Sequence, residues 1–136
     1  MRDIKFRGKT TYCFTDPPEC EWVYGSLQIS YEGFTRIIPL DPAGPWDGVD
    51  PETVGQYTGL KDKNGVEIYE GDVVSCNTFR GVVKYDSYTA SFQAVSAGWW
   101  PISLEYDKHD PFEVIGNIFD NPELDKQFGE VYRKEQ

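Results

Sequence analysis

Short runs in which apolar and polar residues alternate, separated by turn residues, occupy most of this chain. Near the start, Ile4 and Phe6 alternate with Lys5 and Arg7. Further runs rich in aromatic and β-branched residues follow at residues 12–14, 22–31, 34–40, 53–58, 67–69, 72–76, 81–85, 91–95, 102–106 and 112–119. Alternation over stretches this short is typical of β-strands, and the Gly, Asn, Asp and Pro residues between them favour turns. The pattern predicts a mainly β fold.

The segment DPAGPWDGVDPE, residues 41–52, interrupts this series of strands. It holds three prolines and two glycines in twelve residues, a composition that favours a loop. We therefore predict a boundary near residue 50, with an N-terminal β subdomain over residues 1–50. The closely spaced strands from residue 72 onward predict a small five-stranded barrel of the Src-homology-3 (SH3) type within residues 51–120, with bends or bulges at Gly81 and Gly98.

A short C-terminal helix is predicted over residues 121–136. Asn121 can cap it, and Pro122 suits the first helical position. Leu124, Phe128 and Val131 then form one narrow apolar face at helical spacing.

The chain is strongly acidic except at its start. It has 23 acidic and 13 basic residues, a formal net charge of −10, yet Arg2, Lys5, Arg7 and Lys9 fall within the first nine residues. A surface this acidic repels the phosphate backbones of nucleic acids. We therefore expect no nucleic-acid partner, and basic proteins are a better electrostatic match. No apolar run reaches the length of about 18 residues that a membrane span needs, and the charged start is unlike a signal peptide. We expect a cytoplasmic protein without membrane contact.

Cysteine and histidine provide few candidate ligands for a metal. Cys13, Cys20 and Cys76 include no CxxC pair, so we predict free thiols, with neither a disulfide framework nor a zinc ribbon. His109 is the only histidine, which limits general-base schemes to one imidazole.

The segment KDKNG, residues 61–65, has two interpretations. Asp62 and Asn64 have the spacing of the third and fifth ligands of a calcium loop, but Leu60 and Gly71 would then occupy the first and twelfth positions, where oxygen ligands are required. The favoured interpretation is a tight β-hairpin turn in which Asn64 and Gly65 take positive backbone angles.

Two catalytic arrangements are conceivable. Cys76 and His109 are a conceivable nucleophile and base, although nothing local marks Cys76 as activated. Close carboxylates are a conceivable acid and base, but a chain this acidic contains such pairs without a purpose; the pairs considered are those among Glu67, Glu70 and Asp72, and Asp107 with Asp110. We predict no catalytic residue, no cofactor and no metal ligand.

Adjacent Trp99 and Trp100 suggest a contact surface. In an extended strand they point to opposite sides, so burying one ring tends to expose the other. One interpretation is an anchor for a protein partner or for self-association. The alternative is that both rings are covered by the N-terminal part or by the C-terminal helix.

Three sequence blocks resemble a known family. MRDIKFRGK at the start, VGQYTGLKDKNGVEIYEGDVV in the centre and FEVIGNIFDNPEL near the end are similar to blocks of the YopX family, small proteins encoded by bacteriophages and prophages. Residues 10–52 follow no pattern of that family. The resemblance implies a mainly β protein of phage or prophage origin that is cytoplasmic in its bacterial host and self-associates. It implies no reaction, cofactor or catalytic residue.

These observations predict a non-enzymatic interaction protein. Its expected partners are itself, as a homo-oligomer, and an unidentified host or phage protein. The predicted interaction surface comprises Trp99, Trp100, Arg2, Lys5 and Arg7. Two alternatives are an acidic mimic of nucleic acid that binds a host DNA-binding protein, and a weak single-stranded nucleic-acid binder that uses the basic N-terminal strand.

Overall fold

A computed structural model describes residues 3–11, 20–41, 48–77, 79–104 and 110–127 of the protein. The mainly β prediction is confirmed, since the described residues form two antiparallel five-stranded sheets and one short helix. The elements are β1 (Phe6–Lys9), β2 (Trp22–Ile29), β3 (Thr35–Pro39), a 3₁₀ turn (Pro51–Thr53), β4 (Gly55–Lys61), β5 (Glu67–Tyr69), β6 (Asp72–Ser75), β7 (Arg80–Asp86), β8 (Ser91–Val95), β9 (Ile102–Ser103), β10 (Glu113–Asn117) and α1 (Pro122–Gln127).

The chain divides into two compact units, Met1–Tyr57 and Thr58–Gln136. The division falls inside β4, whereas the sequence predicted a boundary near residue 50, in the loop before that strand.

The first unit has its core on one face of its strands. The first sheet has the order β3-β2-β1-β4-β5, with β1 paired to β2 and β4. Val23, Ile37 and Val49 are buried together, and Phe6 and Leu27 pack against them. Phe6 and Val23 belong to the alternating positions that face this cluster, as strand geometry requires.

The second unit buries both faces of its central strands. Its sheet has the order β10-β6-β7-β8-β9. Val73 and Val82 are paired across β6 and β7 and lie in one apolar cluster, whereas Val74 and Val83 lie in another with Ile68. Successive side chains point to opposite faces of a strand, so consecutive valines supply both clusters.

The finer predictions for the second unit differ in outcome. The strands at 67–69 and 91–95 have the predicted bounds, but β9 ends at Ser103 rather than at residue 106. Gly98 lies in a turn with φ of 81°, and the register shift of the sheet occurs between Val114 and Gly116 of β10. The SH3-like closure of these five strands remains a prediction.

The C-terminal helix begins as predicted. Pro122 is its first residue, and Leu124 packs against the cluster of Val73 and Val82. No helix in the described part of the chain is long and apolar enough to cross a lipid bilayer. Several predictions fall outside the described ranges: the strand at 12–14, the helix beyond residue 127, and those for Arg2, Cys13, Asp107, His109, Phe128 and Val131.

Candidate functional site

The KDKNG segment closes a β-hairpin between β4 and β5. The N–H of Asp62 donates to the carbonyl of Val66 over 2.7 Å, and the N–H of Gly65 donates back to the carbonyl of Asp62. Gly65 has a φ of 82°, a conformation that glycine adopts without a steric cost. The hairpin interpretation is confirmed. The expected positive φ at Asn64 is wrong, because only Gly65 in this turn adopts one.

Both carboxylate oxygens of Asp62 accept hydrogen bonds from the backbone. Oδ1 accepts from the N–H groups of Asn64 and Val66 at 2.8 and 2.9 Å, and Oδ2 accepts from the N–H of Val114 at 3.0 Å. Burial alone would raise the pKa of Asp62, but the N–H donors of Val114, Val66 and Asn64, with the positive charge of Lys63 nearby, together lower this pKa below its ordinary value. The carboxylate is therefore a structural group that is stabilised in its charged form.

Further bonds tie this hairpin to the start of β10. The N–H of Lys63 donates to the carbonyl of Phe112 over 3.1 Å. The side chains of Lys63 and Asn64 bind the two oxygens of Glu113, at 3.4 and 3.2 Å. Together with the bond from Val114 to Asp62, these contacts join segments that are about fifty residues apart in the chain.

The lowered pKa of Asp62 predicts a specific dependence of stability on pH. A carboxyl group whose pKa is lower in the folded than in the unfolded state contributes stability above its unfolded pKa, near the ordinary value of 3.8, and loses it as the pH falls through the folded pKa. We expect the free energy of unfolding of the wild type to exceed that of Asp62→Asn at pH 6, and the difference to shrink below about pH 4. Urea unfolding from pH 6 to pH 2 measures this difference, and a constant gap over that range would contradict the prediction.

The YEGD segment makes a second turn, between β5 and β6. Gly71 has a φ of 88°, and its N–H donates to the carbonyl of Val83 while its carbonyl accepts from the N–H of Ile118. Oδ2 of the buried Asp72 accepts from the N–H of Tyr69 over 2.8 Å. This turn is therefore fixed at its glycine and at its aspartate.

The two turns and the start of β10 coincide with the central and C-terminal blocks of the sequence. A model of the family described as YopX protein matches residues 8–125. The match extends over residues 10–52, for which the sequence had indicated no family pattern. The chain belongs to the YopX family. No curated protein matches it. In this YopX chain the blocks are accounted for by turn geometry and long-range hydrogen bonds, and such a fold does not by itself specify a function.

A cavity of about 670 Å³ opens at one end of the second sheet of the YopX chain. Strand pairing brings the turn between β6 and β7 and the start of β10 to this end, since Ser75 is opposite both Arg80 and Glu113. The polar lining side chains are Lys63, Ser75, Asn77, Arg80, Asp110 and Glu113. This volume is typical of a site for a small ligand or a peptide side chain.

The charged side chains of the cavity differ in the hydrogen bonds and ion pairs that they form. Glu113 forms an ion pair with Lys63 and accepts a hydrogen bond from the side chain of Asn64. Oδ1 of Asp110 accepts from the N–H of Asn77 over 3.0 Å. Arg80 is exposed, and its Nε donates to Oγ of Ser75 over 3.2 Å.

Trp99 and Trp100 lie on the turn between β8 and β9. Their side chains are 71% and 88% exposed, so neither ring is covered by the residues of the second unit that the structure describes. The N–H of Trp99 donates to the carbonyl of Ser96, and Gly98 has a positive φ. Because β8 ends opposite Val82, near the start of β7, this turn lies at the same end of the sheet as the cavity.

The basic residues of β1 contact aromatic rings. Arg7 is only 5% exposed, and its guanidinium carbon lies 4.6 Å from the ring centroid of Trp22. Nζ of Lys9 lies 5.6 Å from the same centroid, and Nζ of Lys5 lies 4.9 Å from that of Tyr57. Cation–π contacts of this kind stabilise the strand. That Lys5 and Arg7 contribute to an interaction surface remains a prediction.

The prediction of thiols without disulfides has a different outcome at each described cysteine. Cys76 is a half-buried thiol that lines the cavity, and the prediction that it forms no disulfide is confirmed. The prediction is wrong at Cys20, which is disulfide-bonded. His109, the conceivable base for Cys76, lies outside the described residues.

Two of the carboxylates that were considered as an acid and base, Glu67 and Asp72, form hydrogen bonds with Tyr69 at the end of β5. Oε1 of Glu67 accepts from the hydroxyl of Tyr69 at 3.4 Å, and Asp72 binds the backbone of the same residue. Among the described residues, no three Asp, Glu, Cys or His side chains come together as a potential metal site.

The sequence indicated Cys76 and Asp110 as separate candidates but did not indicate that they share a cavity with Ser75, Asn77 and Arg80. Ser75, Asn77 and Arg80 are separated along the chain by a turn and meet only when β6 pairs with β7. A signal is present in the segment SCNTFR, where a hydroxyl, an amide and a guanidinium surround a short polar turn between two apolar strands.

Proposed function

We propose that this YopX chain is a non-enzymatic protein-binding module that makes its main contact through Trp99 and Trp100. The observation that carries the proposal is the exposure of both indole rings, 71% and 88%, on one turn. A tryptophan buries 150–250 Å² when covered and is among the residues that contribute most to binding energy at interfaces. Two exposed rings side by side therefore constitute a strong potential anchor.

The turn holds the rings away from the body of the second unit. Gly98 has a φ of 81°, and an added Cβ there would meet no atom within 4 Å. The bond from Trp99 to Ser96 closes the turn over 3.2 Å. A partner can therefore approach the rings without displacing any side chain that is described in this unit.

We propose a second copy of the chain as one partner. A two-fold contact would place the same tryptophans on both sides of the interface, and paired aromatic side chains gain energy beyond the area that they bury. An unidentified host or phage protein is the other proposed partner, and its contact would use the same turn.

Substitution of both tryptophans tests the proposal. For Trp99→Ala/Trp100→Ala we expect the dissociation constant of the self-associated form to rise by at least about 100-fold, because each ring would contribute a hot-spot contact. Sedimentation velocity over a concentration range measures this constant. Tyr88→Ala is the matched control, because Tyr88 is 96% exposed but lies on the turn at the opposite end of β8.

Two results would count against the proposal. A wild-type chain that stays monomeric up to about 500 μM would remove the second copy as a partner, because specific interfaces are much tighter than this. A double variant that associates as the wild type does would remove the tryptophans as the anchor.

The nucleic-acid alternatives have weaker support. Lys5, Arg7 and Lys9 already contact rings of Trp22 and Tyr57, whereas a single-stranded nucleic acid would need such rings open for stacking. The net charge of −10 is compatible with mimicry of nucleic acid, but no described contact favours that function over binding through the tryptophans.

A further inference from the structure

We infer that the cavity at the end of the second sheet binds a carboxylate side chain of a protein partner through Arg80. Arg80 is the first residue of β7, and its side chain is exposed at the cavity. A guanidinium presents a planar fork of donors that matches the two oxygens of a carboxylate. The assignment of the carboxylate to a protein rests on the proposed function.

The bond to Ser75 orients Arg80 for such a contact. Nε of Arg80 donates to Oγ of Ser75 over 3.2 Å, and Ser75 is opposite Arg80 in the pairing of β6 with β7. The two terminal nitrogens of Arg80 form no hydrogen bond or ion pair with any residue in the described ranges. Nε is therefore anchored, while the two terminal nitrogens, which carry two N–H groups each, have no partner among the described residues.

The other charged side chains of the cavity already have partners of their own. Glu113 is neutralised by Lys63 at 3.4 Å and also accepts from Asn64, and Asp110 accepts from the N–H of Asn77. Among these charged groups, the guanidinium of Arg80 therefore has the most donors left for a ligand. A singly charged carboxylate is a better match than a phosphate dianion, because Asp110 and Glu113 would repel the doubly charged group more strongly.

The position and size of the cavity indicate a segment of a protein rather than a small free acid. Its volume, about 670 Å³, exceeds the requirement of a single carboxylate. The turn with Trp99 and Trp100 lies at the same end of the sheet, because β8 ends opposite Val82 while the cavity surrounds Arg80. A partner anchored on the tryptophans would bring an Asp or Glu side chain within reach of Arg80.

Titration of the isotopically labelled full chain by NMR tests this inference. The probe is the blocked peptide Ac-Gly-Glu-Gly-NH2, and its glutamine counterpart is the matched neutral probe. We expect the amide signals of Ser75, Asn77 and Arg80 to shift and saturate with the glutamate peptide, with a dissociation constant of about 1–10 mM, and to stay in place with the glutamine peptide.

Two variants separate the role of Arg80 from that of general positive charge. Arg80→Gln should weaken binding of the glutamate peptide at least about tenfold. Lys84→Gln removes the same charge from the same strand four residues away and should bind the peptide as the wild type does. The spectra of both variants report whether the fold is retained.

Several outcomes would overturn the inference. They are the absence of saturable shifts with the glutamate peptide, equal binding of the two peptides, and retained binding by Arg80→Gln. Binding of inorganic phosphate as tight as that of the peptide would contradict the preference for a carboxylate, and equally tight succinate would contradict a protein source. Failure here with tryptophan-dependent self-association intact would remove only the role of the cavity, because sedimentation measures the proposed function separately.

Discussion

Replacement of Asp62 by alanine should lower the free energy of unfolding of the second unit by about 3–4 kcal/mol, because it leaves three backbone N–H groups without their charged acceptor. Those groups belong to Asn64, Val66 and Val114. The loss is a large fraction of the stability of an ordinary domain, about 5–15 kcal/mol. Urea titration followed through the amide signals of Val73 and Val82, both fully buried, measures the change in this unit.

Asp86→Ala provides the matched control for Asp62→Ala. The carboxylate of Asp86 accepts from the N–H of Tyr88 at 3.1 Å and from the hydroxyl of Thr89 at 2.7 Å, both within the turn between β7 and β8. It therefore makes local bonds without the long-range bond that Asp62 makes to Val114. We expect Asp86→Ala to be clearly less destabilising. Equal losses for the two variants would show that the bond to β10 contributes little.

Gly71→Ala should destabilise the second unit by about 2–3 kcal/mol, because it combines backbone strain with a steric clash. The φ of Gly71 is 88°, and a Cβ added there would lie 2.7 Å from Cε2 of Phe119. The ring of Phe119 packs against the buried cluster of Val73 and Val82, so its displacement would disturb the core. The same urea titration measures the effect.

Gly65→Ala separates the strain from the clash. Gly65 has nearly the same backbone angle, a φ of 82°, but an added Cβ would meet no atom within 4 Å. We expect a loss of about 1 kcal/mol, from the unfavourable backbone conformation alone. If the two glycine variants were equally unstable, the contact with Phe119 would have no energetic consequence.

Local features of this chain could be predicted from the sequence because neighbouring residues determine them. The strand at 91–95 follows from alternation and from the turn residues at its ends, and the start of α1 follows from Pro122. The hairpin at residues 61–65 follows from the carboxylate and glycine that its turn requires. Residues of these turns also belong to the sequence blocks that resemble the YopX family, and the match over residues 8–125 confirms that family.

The candidate site could not be predicted because it depends on pairing between distant segments. Arg80 meets Ser75 through the register of β6 and β7, and Glu113 joins them through β10. The disulfide at Cys20 likewise depends on proximity in space, which cysteine spacing does not reveal.

The tryptophan pair shows why burial is difficult to predict from local patterns. The expectation from the sequence assumed that Trp99 and Trp100 are neighbours in an extended strand, where burying one ring tends to expose the other. They lie instead in a turn shaped by Gly98, and both rings are exposed. Alternation along an extended strand does not describe side chains in a turn, so it did not predict that both rings are exposed.

The bond between Asp62 and Val114 has a consequence for the rate of folding. It joins residues 52 positions apart, and β10 must also find β6 across nearly forty residues before the sheet is complete. Closing such long loops costs chain entropy before the contacts that compensate for it have formed. We therefore expect the second unit to fold slowly for its size, and the hairpins within it to form before β10 pairs with β6.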